Sequence, residues 1–182
     1  MLWLILYLFG IIAAAGMGLF AGWSDFRGLQ IPNTVHVVIL AAFVPAYAAA
    51  HFAGVKIFAP LGSHAEAAGF TLMITFVMFC FRVFGGGDAK LLTVYALWVA
   101  LKGMPPLLIY MAVSGFLLAL VSLIIRKVKP FKNAREGSWI AQMQAGGNRV
   151  PYGIPIVIGA LVAFLTQGYL KPQNLLLFVG NT

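Results

Sequence analysis

Carboxylates are the scarcest functional groups in this chain: its 182 residues hold four, Asp25, Glu66, Asp88 and Glu136. Charged side chains of either sign make up 9% of the sequence, against about a quarter in an ordinary soluble domain. That scarcity leaves no room for a separate water-soluble domain. Cysteine occurs once, as Cys80 inside an apolar stretch, which excludes an internal disulfide. The three histidines, His36, His51 and His64, have no partners at metal-ligand spacing. Neither a metal site nor any other cofactor is expected, and the histidines read as interfacial or packing residues. Charge is also missing from the first 24 residues. A secretory signal would begin with basic residues and carry a shorter apolar stretch, so this segment reads as a retained first membrane span.

Hydrophobic residues fill the space instead, at 62% of the chain with a mean hydropathy of +0.98. Apolar runs predict six spans, over residues 2–23, 34–51, 67–84, 89–103, 106–125 and 153–170. The expected fold is therefore an all-α polytopic membrane protein, one domain over residues 1–182. The fourth span is the shortest. Eleven residues separate Lys90 from Lys102, about 16 Å of helix against a hydrocarbon core of roughly 30 Å. It suffices only if the flanking lysines snorkel, and Pro105-Pro106 is expected to break the chain before the fifth span. Trp3, Trp23 and Trp98 lie near span ends and read as interfacial anchors or packing residues.

Basic side chains set the orientation. With loops alternating across the membrane, Arg27, Arg82, Lys90, Arg126, Lys127, Lys129, Lys132, Arg135 and Arg149 share one side, and Lys56, Lys102 and Lys171 the other. The positive-inside rule places the larger group in the cytoplasm and the N-terminus outside. Topology thus accounts for the net charge of +8, and nucleic acid is not an expected partner. The basic loop of residues 126–152 offers a contact for anionic lipid, with Trp139, Ile140 and Met143 laying one face of a short segment on the bilayer.

Two crossings separate Asp25 from Asp88, so both aspartates fall at the same membrane face. Ionisable groups this close to hydrocarbon are costly and tend to be functional, and two carboxylates are the minimum equipment for cleaving a peptide bond with activated water. Asp25 opens a tight segment ending in Ile31-Pro32-Asn33, where Gly28 and Pro32 stop the first span and Asn33 or Thr34 caps the second. A solvated turn in which Asp25 pairs with Arg27 would use the same residues. Asp88 follows Gly85-Gly86-Gly87 and precedes Lys90. Three glycines admit positive φ and let a substrate backbone approach; a flexible turn with Asp88 as helix N-cap is the plainer account. Lys90 stands two residues from Asp88, off its face, and is expected to anchor the helix at lipid headgroups. Pro151-Tyr152-Gly153 closes the basic loop before the last span.

Asp25 with Ile31-Pro32-Asn33, then Gly85-Gly86-Gly87-Asp88-Ala89-Lys90, then Pro151-Tyr152-Gly153, in that order on a six-span background, resembles the type IV prepilin peptidases, membrane aspartic proteases of the GxGD type. The resemblance covers essentially the whole chain. It implies a helical membrane enzyme of the bacterial cytoplasmic membrane. Such an enzyme removes the leader of prepilins or pseudopilins at the cytoplasmic face, without a cofactor. It maps the catalytic pair onto Asp25 and Asp88, the fixed glycines onto Gly85 and Gly87, and the following lysine onto Lys90. It also implies that Gly86, Ile31, Pro32, Asn33, Pro151 and Gly153 line the site. Longer members insert a cysteine-rich cytoplasmic domain after the first span. The corresponding loop here is short and contains no cysteine, so the chain is similar to the peptidases of Flp or tight-adherence pili, and N-methyltransferase activity is not expected.

The chemistry the resemblance implies follows from charge: a close, partly desolvated carboxylate pair shares one proton, the ionised member activating water and the protonated one polarising the scissile carbonyl. Another GxGD protease of the presenilin kind would show a Tyr-Asp pair and a Pro-Ala-Leu motif, and neither is present. The alternative of a different class is a transporter or pilus-assembly scaffold using the pair as an ion or proton site.

Overall fold

A computed structural model describes residues 1–180. Among them the backbone forms helices and no strand: α1 (Leu2–Gly28), α2 (Asn33–Phe52), α3 (Leu61–Cys80), α4 (Gly86–Val128), α5 (Trp139–Gln144), α6 (Gly153–Thr166) and α7 (Pro172–Gly180). The first four are long and apolar enough to cross a membrane, and α6 is a shorter apolar helix of 14 residues. The polytopic helical architecture read from hydropathy is the one adopted.

Apolar surface gains nothing by leaving lipid for another apolar helix, so packing and interhelical hydrogen bonds hold such a bundle together. The inner face is accordingly aromatic with polar tips. Trp98 is fully buried and donates its indole N–H to the Ile39 carbonyl at 2.9 Å. Tyr95 donates to the Ala14 carbonyl at 2.9 Å and Tyr7 to the Tyr169 carbonyl at 2.8 Å. Each bond ties an aromatic body to the backbone of another segment, satisfying a group that hydrocarbon could not. Phe9, Ile12, Phe76 and Phe116 stand exposed on the outside, as a lipid-facing surface requires. Trp98 is thus a packing residue and no interfacial anchor.

Several helix ends depart from the hydropathy reading for local reasons. The first helix does not stop before Asp25; it runs to Gly28 and closes on Leu29 in the left-handed region, whose N–H bonds the Asp25 carbonyl. Asp25 therefore rides on the buried face already set by Gly18, Ala21 and Gly22. Pro32, extended at φ −60° and ψ 141°, starts α2, and neither Asn33 nor Thr34 caps it with a side chain. α3 begins directly after Pro60, not at residue 67. His64 and Glu66 read as loop in the sequence, yet His64 is completely buried. At its other end α3 stops at Cys80, because the chain turns through Arg82 at φ 59°.

The largest departure is in α4, two helices joined at Ala100 (φ 54°, ψ −178°). The expected break lay at Pro105-Pro106. A proline ring collides with the carbonyl four residues earlier, which for Pro105 is Leu101, so the interruption falls just upstream of that residue. Groups orphaned there find side chains from three directions. Nδ1 of His64 lies 2.6 Å from the Leu97 carbonyl and so carries the proton; Tyr169 donates to the Trp98 carbonyl at 2.7 Å; Ser63 Oγ accepts from the Leu101 N–H at 3.3 Å. Beyond the break α4 returns along α6, with Leu107 and Met111 against Gly159 and Gly115 against Tyr152.

The conformation of Ala100 belongs to a region that glycine occupies far more readily, at a cost of about 1–3 kcal/mol for other residues. Replacing Ala100 with glycine is expected to raise the thermal midpoint of the detergent-solubilised protein. His64→Ala, which strips the Leu97 carbonyl of its donor, is expected to lower stability by about 1–3 kcal/mol. A midpoint unchanged in both variants would show that the break is neither strained nor capped.

Candidate active site

Asp25 is 5% exposed, and a buried carboxylate needs donors. The first amide of α6 supplies one: the Gly153 N–H donates to Asp25 Oδ2 at 2.7 Å across 128 residues of sequence. N-terminal helix amides have no intrahelical acceptor and carry the positive end of the dipole, so an anion belongs there. A side chain at position 153 would prevent this contact. A Cβ on Gly153 would lie 2.9 Å from Asp25 Oδ2 and 3.0 Å from Ile31 Cδ1. The pairing of Asp25 with Arg27 does not form; the Arg27 guanidinium carbon lies 4.1 Å from the Trp23 ring centre instead.

Asp88 stands in the first turn of α4, also at a helix N-terminus, and is half-buried. Ile31 touches Gly87, next to Asp88, and Gly153, whose N–H donates to Asp25, so the topology that separates the aspartates by two crossings brings them to one end of the bundle. The carboxylate of Asp88 accepts no hydrogen bond from the described residues, which leaves it open to water or to a bound peptide. None of Gly85, Gly86 and Gly87 adopts positive φ, so the glycines do not serve a left-handed turn. Gly85 is extended (φ −72°, ψ 144°), and a Cβ there would lie 2.6 Å from Asp88 Oδ2. The first glycine makes room for the carboxylate itself.

The turn between α1 and α2 knits the site together. Ile31 packs against both Gly87 and Gly153, a hydrophobic wedge touching the loop of each aspartate. Pro32 fixes where α2 starts, which leaves Asn33 at the first helical position with its side chain available. Lys90 Nζ donates to Asn33 Oδ1 at 3.0 Å. The ammonium expected to anchor α4 at lipid headgroups is instead committed to the Ile31-Pro32-Asn33 turn. Pro151 is buried just ahead of Gly153, and the Tyr152 ring meets Phe84 edge-on at 5.8 Å. Every residue expected at the site lies on one of these converging segments.

The sequence reads His36 as an interfacial or packing residue, yet its Nε2 lies 3.0 Å from the Gly87 carbonyl. A carbonyl only accepts, so Nε2 is the protonated nitrogen and the ring ties α2 to the glycine loop. A signal existed: Asn33 and His36 lie three apart on one helix face, as do Gly87 and Lys90 on another. Glu66 sits near the start of α3, and Asp88 follows that helix's other end. Among the described residues no group of three or more His, Cys, Asp or Glu is placed to hold a metal ion.

The basic segment corrects another expectation. Trp139 and Met143 do not lie on the bilayer. Both are 3% exposed and pack with Ile125 against the protein, after Ser138 caps α5 by accepting from the Ala141 N–H at 3.3 Å.

In comparison with known proteins, the model of the type IV leader peptidase family matches residues 12–120. That stretch holds Asp25, the Ile31-Pro32-Asn33 turn and the Gly85–Lys90 segment. Searches among curated proteins and among solved structures found no match.

The Gly153 contact makes a stability prediction that is independent of turnover. Asp25→Asn keeps an oxygen for the Gly153 N–H and removes repulsion with Asp88, so it is expected to be at least as stable as the native chain. Asp25→Ala strands a buried N–H, at a cost of about 1–3 kcal/mol. Thermal unfolding that ranks alanine level with asparagine would show that the bond is not made.

Proposed function

Since the chain belongs to the type IV leader peptidase family, we propose that it is a membrane aspartic endopeptidase in which Asp25 and Asp88 activate the water that cleaves a prepilin leader. The observation that supports this reading is that each aspartate stands at a helix N-terminus, Asp25 on that of α6 and Asp88 on that of α4, with Ile31 wedged between the glycines that accompany them. Two carboxylates in a partly desolvated site hold one proton between them. The ionised member takes a proton from water as its oxygen adds to the scissile carbonyl, while the protonated member donates a hydrogen bond to that carbonyl oxygen. Collapse of the tetrahedral intermediate breaks the C–N bond and passes a proton to the leaving amine. Asp88, without a protein donor, is the better placed to exchange partners during these steps. Asp25, held by Gly153, keeps its orientation.

The substrate class follows from the family and from charge. Nine of the twelve cationic side chains lie on the side of the aspartates, and the positive-inside rule makes that side the cytoplasm, where a leader awaiting export is accessible. We assign the site to the cytoplasmic face of a bacterial inner membrane. The substrates are Flp-like prepilins or pseudopilins, because the α1–α2 turn carries no cysteine-rich insertion. The assignment covers leader cleavage and no methyl transfer.

Incubation of the membrane-inserted protein with co-produced prepilins, followed by mass analysis of their N-termini, tests the reading directly. Asp25→Asn and Asp88→Asn are each expected to lower cleavage by about 10²–10⁴-fold while leaving expression and membrane insertion intact. Full cleavage by either variant would sink the paired mechanism. An uncleaved substrate with the native chain, together with an ion flux that needs both aspartates, would favour the transporter alternative.

His36→Gln, which preserves a donor near the Gly87 carbonyl, is expected to retain more activity than His36→Leu, with the loss falling on kcat more than on KM. Equal activity of the two would remove His36 from the positioning of the glycine loop.

A further inference from the structure

A cavity of about 660 Å³ opens between the end of α1 and the segment that joins α4 to α5, with Phe26, Arg27, Phe131, Lys132, Arg135 and Trp139 among its lining residues. Three of these are cations, and none of the three has an ion-pair partner among the described residues. No carboxylate lines the cavity. Glu136 is in the same segment but outside the lining, and Asp25 is turned to the buried face of α1. Three uncompensated cations around one concavity repel each other unless an anion is present.

The other half of the lining is apolar. Phe26 is 42% exposed and Phe131 49% exposed, open aromatic surface directly beside the cations. Trp139 is 3% exposed, and its indole N–H has no acceptor. A buried donor without an acceptor is rare enough to need an explanation, and its neighbourhood here is cationic. Location narrows the ligand further. The cavity lies where α1 and α4 end, so its mouth is at the level at which membrane-spanning segments meet lipid headgroups. A ligand there must combine an anionic group with an apolar body.

We propose that this cavity binds the headgroup of an anionic glycerophospholipid. Arg27, Lys132 and Arg135 hold the phosphate, and Phe26 and Phe131 cover the glycerol and the first methylenes of the acyl chains. The guanidinium of Arg27 is kept in place by the Trp23 ring 4.1 Å away. The Phe26 ring meets Trp139 edge-on at 5.7 Å, so the two walls of the cavity are in contact and the site is formed before the lipid arrives. This assignment does not rest on the peptidase mechanism, since neither aspartate takes part in it.

The test is native mass spectrometry of the full-length protein in neutral detergent, offered phosphatidylglycerol or phosphatidylcholine with identical acyl chains. The native chain is expected to retain phosphatidylglycerol at least about tenfold better, since each basic group at headgroup level contributes a factor of about five. The triple variant Arg27→Gln, Lys132→Gln, Arg135→Gln is expected to lose that preference. A control triple, Lys56→Gln, Lys102→Gln, Lys171→Gln, removes the same charge elsewhere and is expected to keep it. The single variants Lys132→Gln and Arg135→Gln, both at exposed side chains, decide the matter if the triple variant does not fold; each should reduce retention severalfold. Equal retention of the two lipids, or equal loss in both triples, would overturn the site. Displacement of the lipid by inorganic phosphate or by an acidic peptide would overturn the assignment of a lipid.

Discussion

One hydrogen bond organises this molecule: the amide at the start of α6 given to the carboxylate at the end of α1. A carboxylate as buried as Asp25 is tolerated only with a donor, and a helix N-terminus is the cheapest donor a membrane domain can offer, because its first amides have nothing else to bond. That single contact sets α6 against α1. Because α6 packs along the second arm of α4, and the first arm carries Asp88, the same contact constrains where the second aspartate stands. The glycine at position 153 is the steric condition for all of this. Any larger residue would push Asp25 and Ile31 apart.

The first arm of α4 is held at both ends by side chains as well as by its own ladder. At the Asp88 end, His36 meets the Gly87 carbonyl and Lys90 reaches Asn33. At the Ala100 end, His64, Tyr169 and Ser63 take the groups left over by the break. A break in hydrocarbon leaves unpaired backbone that lipid cannot satisfy, so it persists only where such partners converge. The pair of prolines interrupts the helix, and the aromatic and polar neighbours make the interruption habitable. The aspartate-bearing arm is thereby a short rod with both ends tied, its register fixed from the far side of the bundle as well as from the site.

Much of this was legible in the sequence, for a physical reason. Spans follow from composition alone, because hydrocarbon excludes every other arrangement of so apolar a chain. Parity of crossings then brought Asp25 and Asp88 to one face without any knowledge of packing. What the sequence did not disclose were features decided by single neighbours. From the sequence Asp25 reads as part of a turn, since the polar run after Trp23 resembles a loop; α1 continues because its buried face continues through Gly22 to Asp25. His64 reads as loop because polarity in a helix's first turns looks like exposure. Its burial depends on a carbonyl freed by a break in another helix. Trp139 and Met143 show the correct helical spacing for an apolar face, but spacing cannot say whether protein or lipid covers that face, and here Ile125 does.

The polar groups of the chain thus divide by depth. At the far end His64, Tyr169 and Ser63 serve backbone that has lost its helix partners. At the end of the aspartates the balance is different: Asp25 is answered once, Asp88 not at all by protein, and three cations beside α1 face an apolar-walled cavity with no counter-charge. Unanswered charges are expensive in a structure so poor in charge, and the proposed peptide and lipid ligands would answer them. A carboxylate pair calls for water and a peptide carbonyl; a cationic, aromatic cavity calls for an anionic amphiphile. The two needs differ in sign, and the helix that separates them, α1, presents Asp25 on its buried face and Phe26 and Arg27 to the cavity. A helix that turns acid to one side and base to the other keeps the aspartate and the cationic cavity apart while holding them within a few residues of each other.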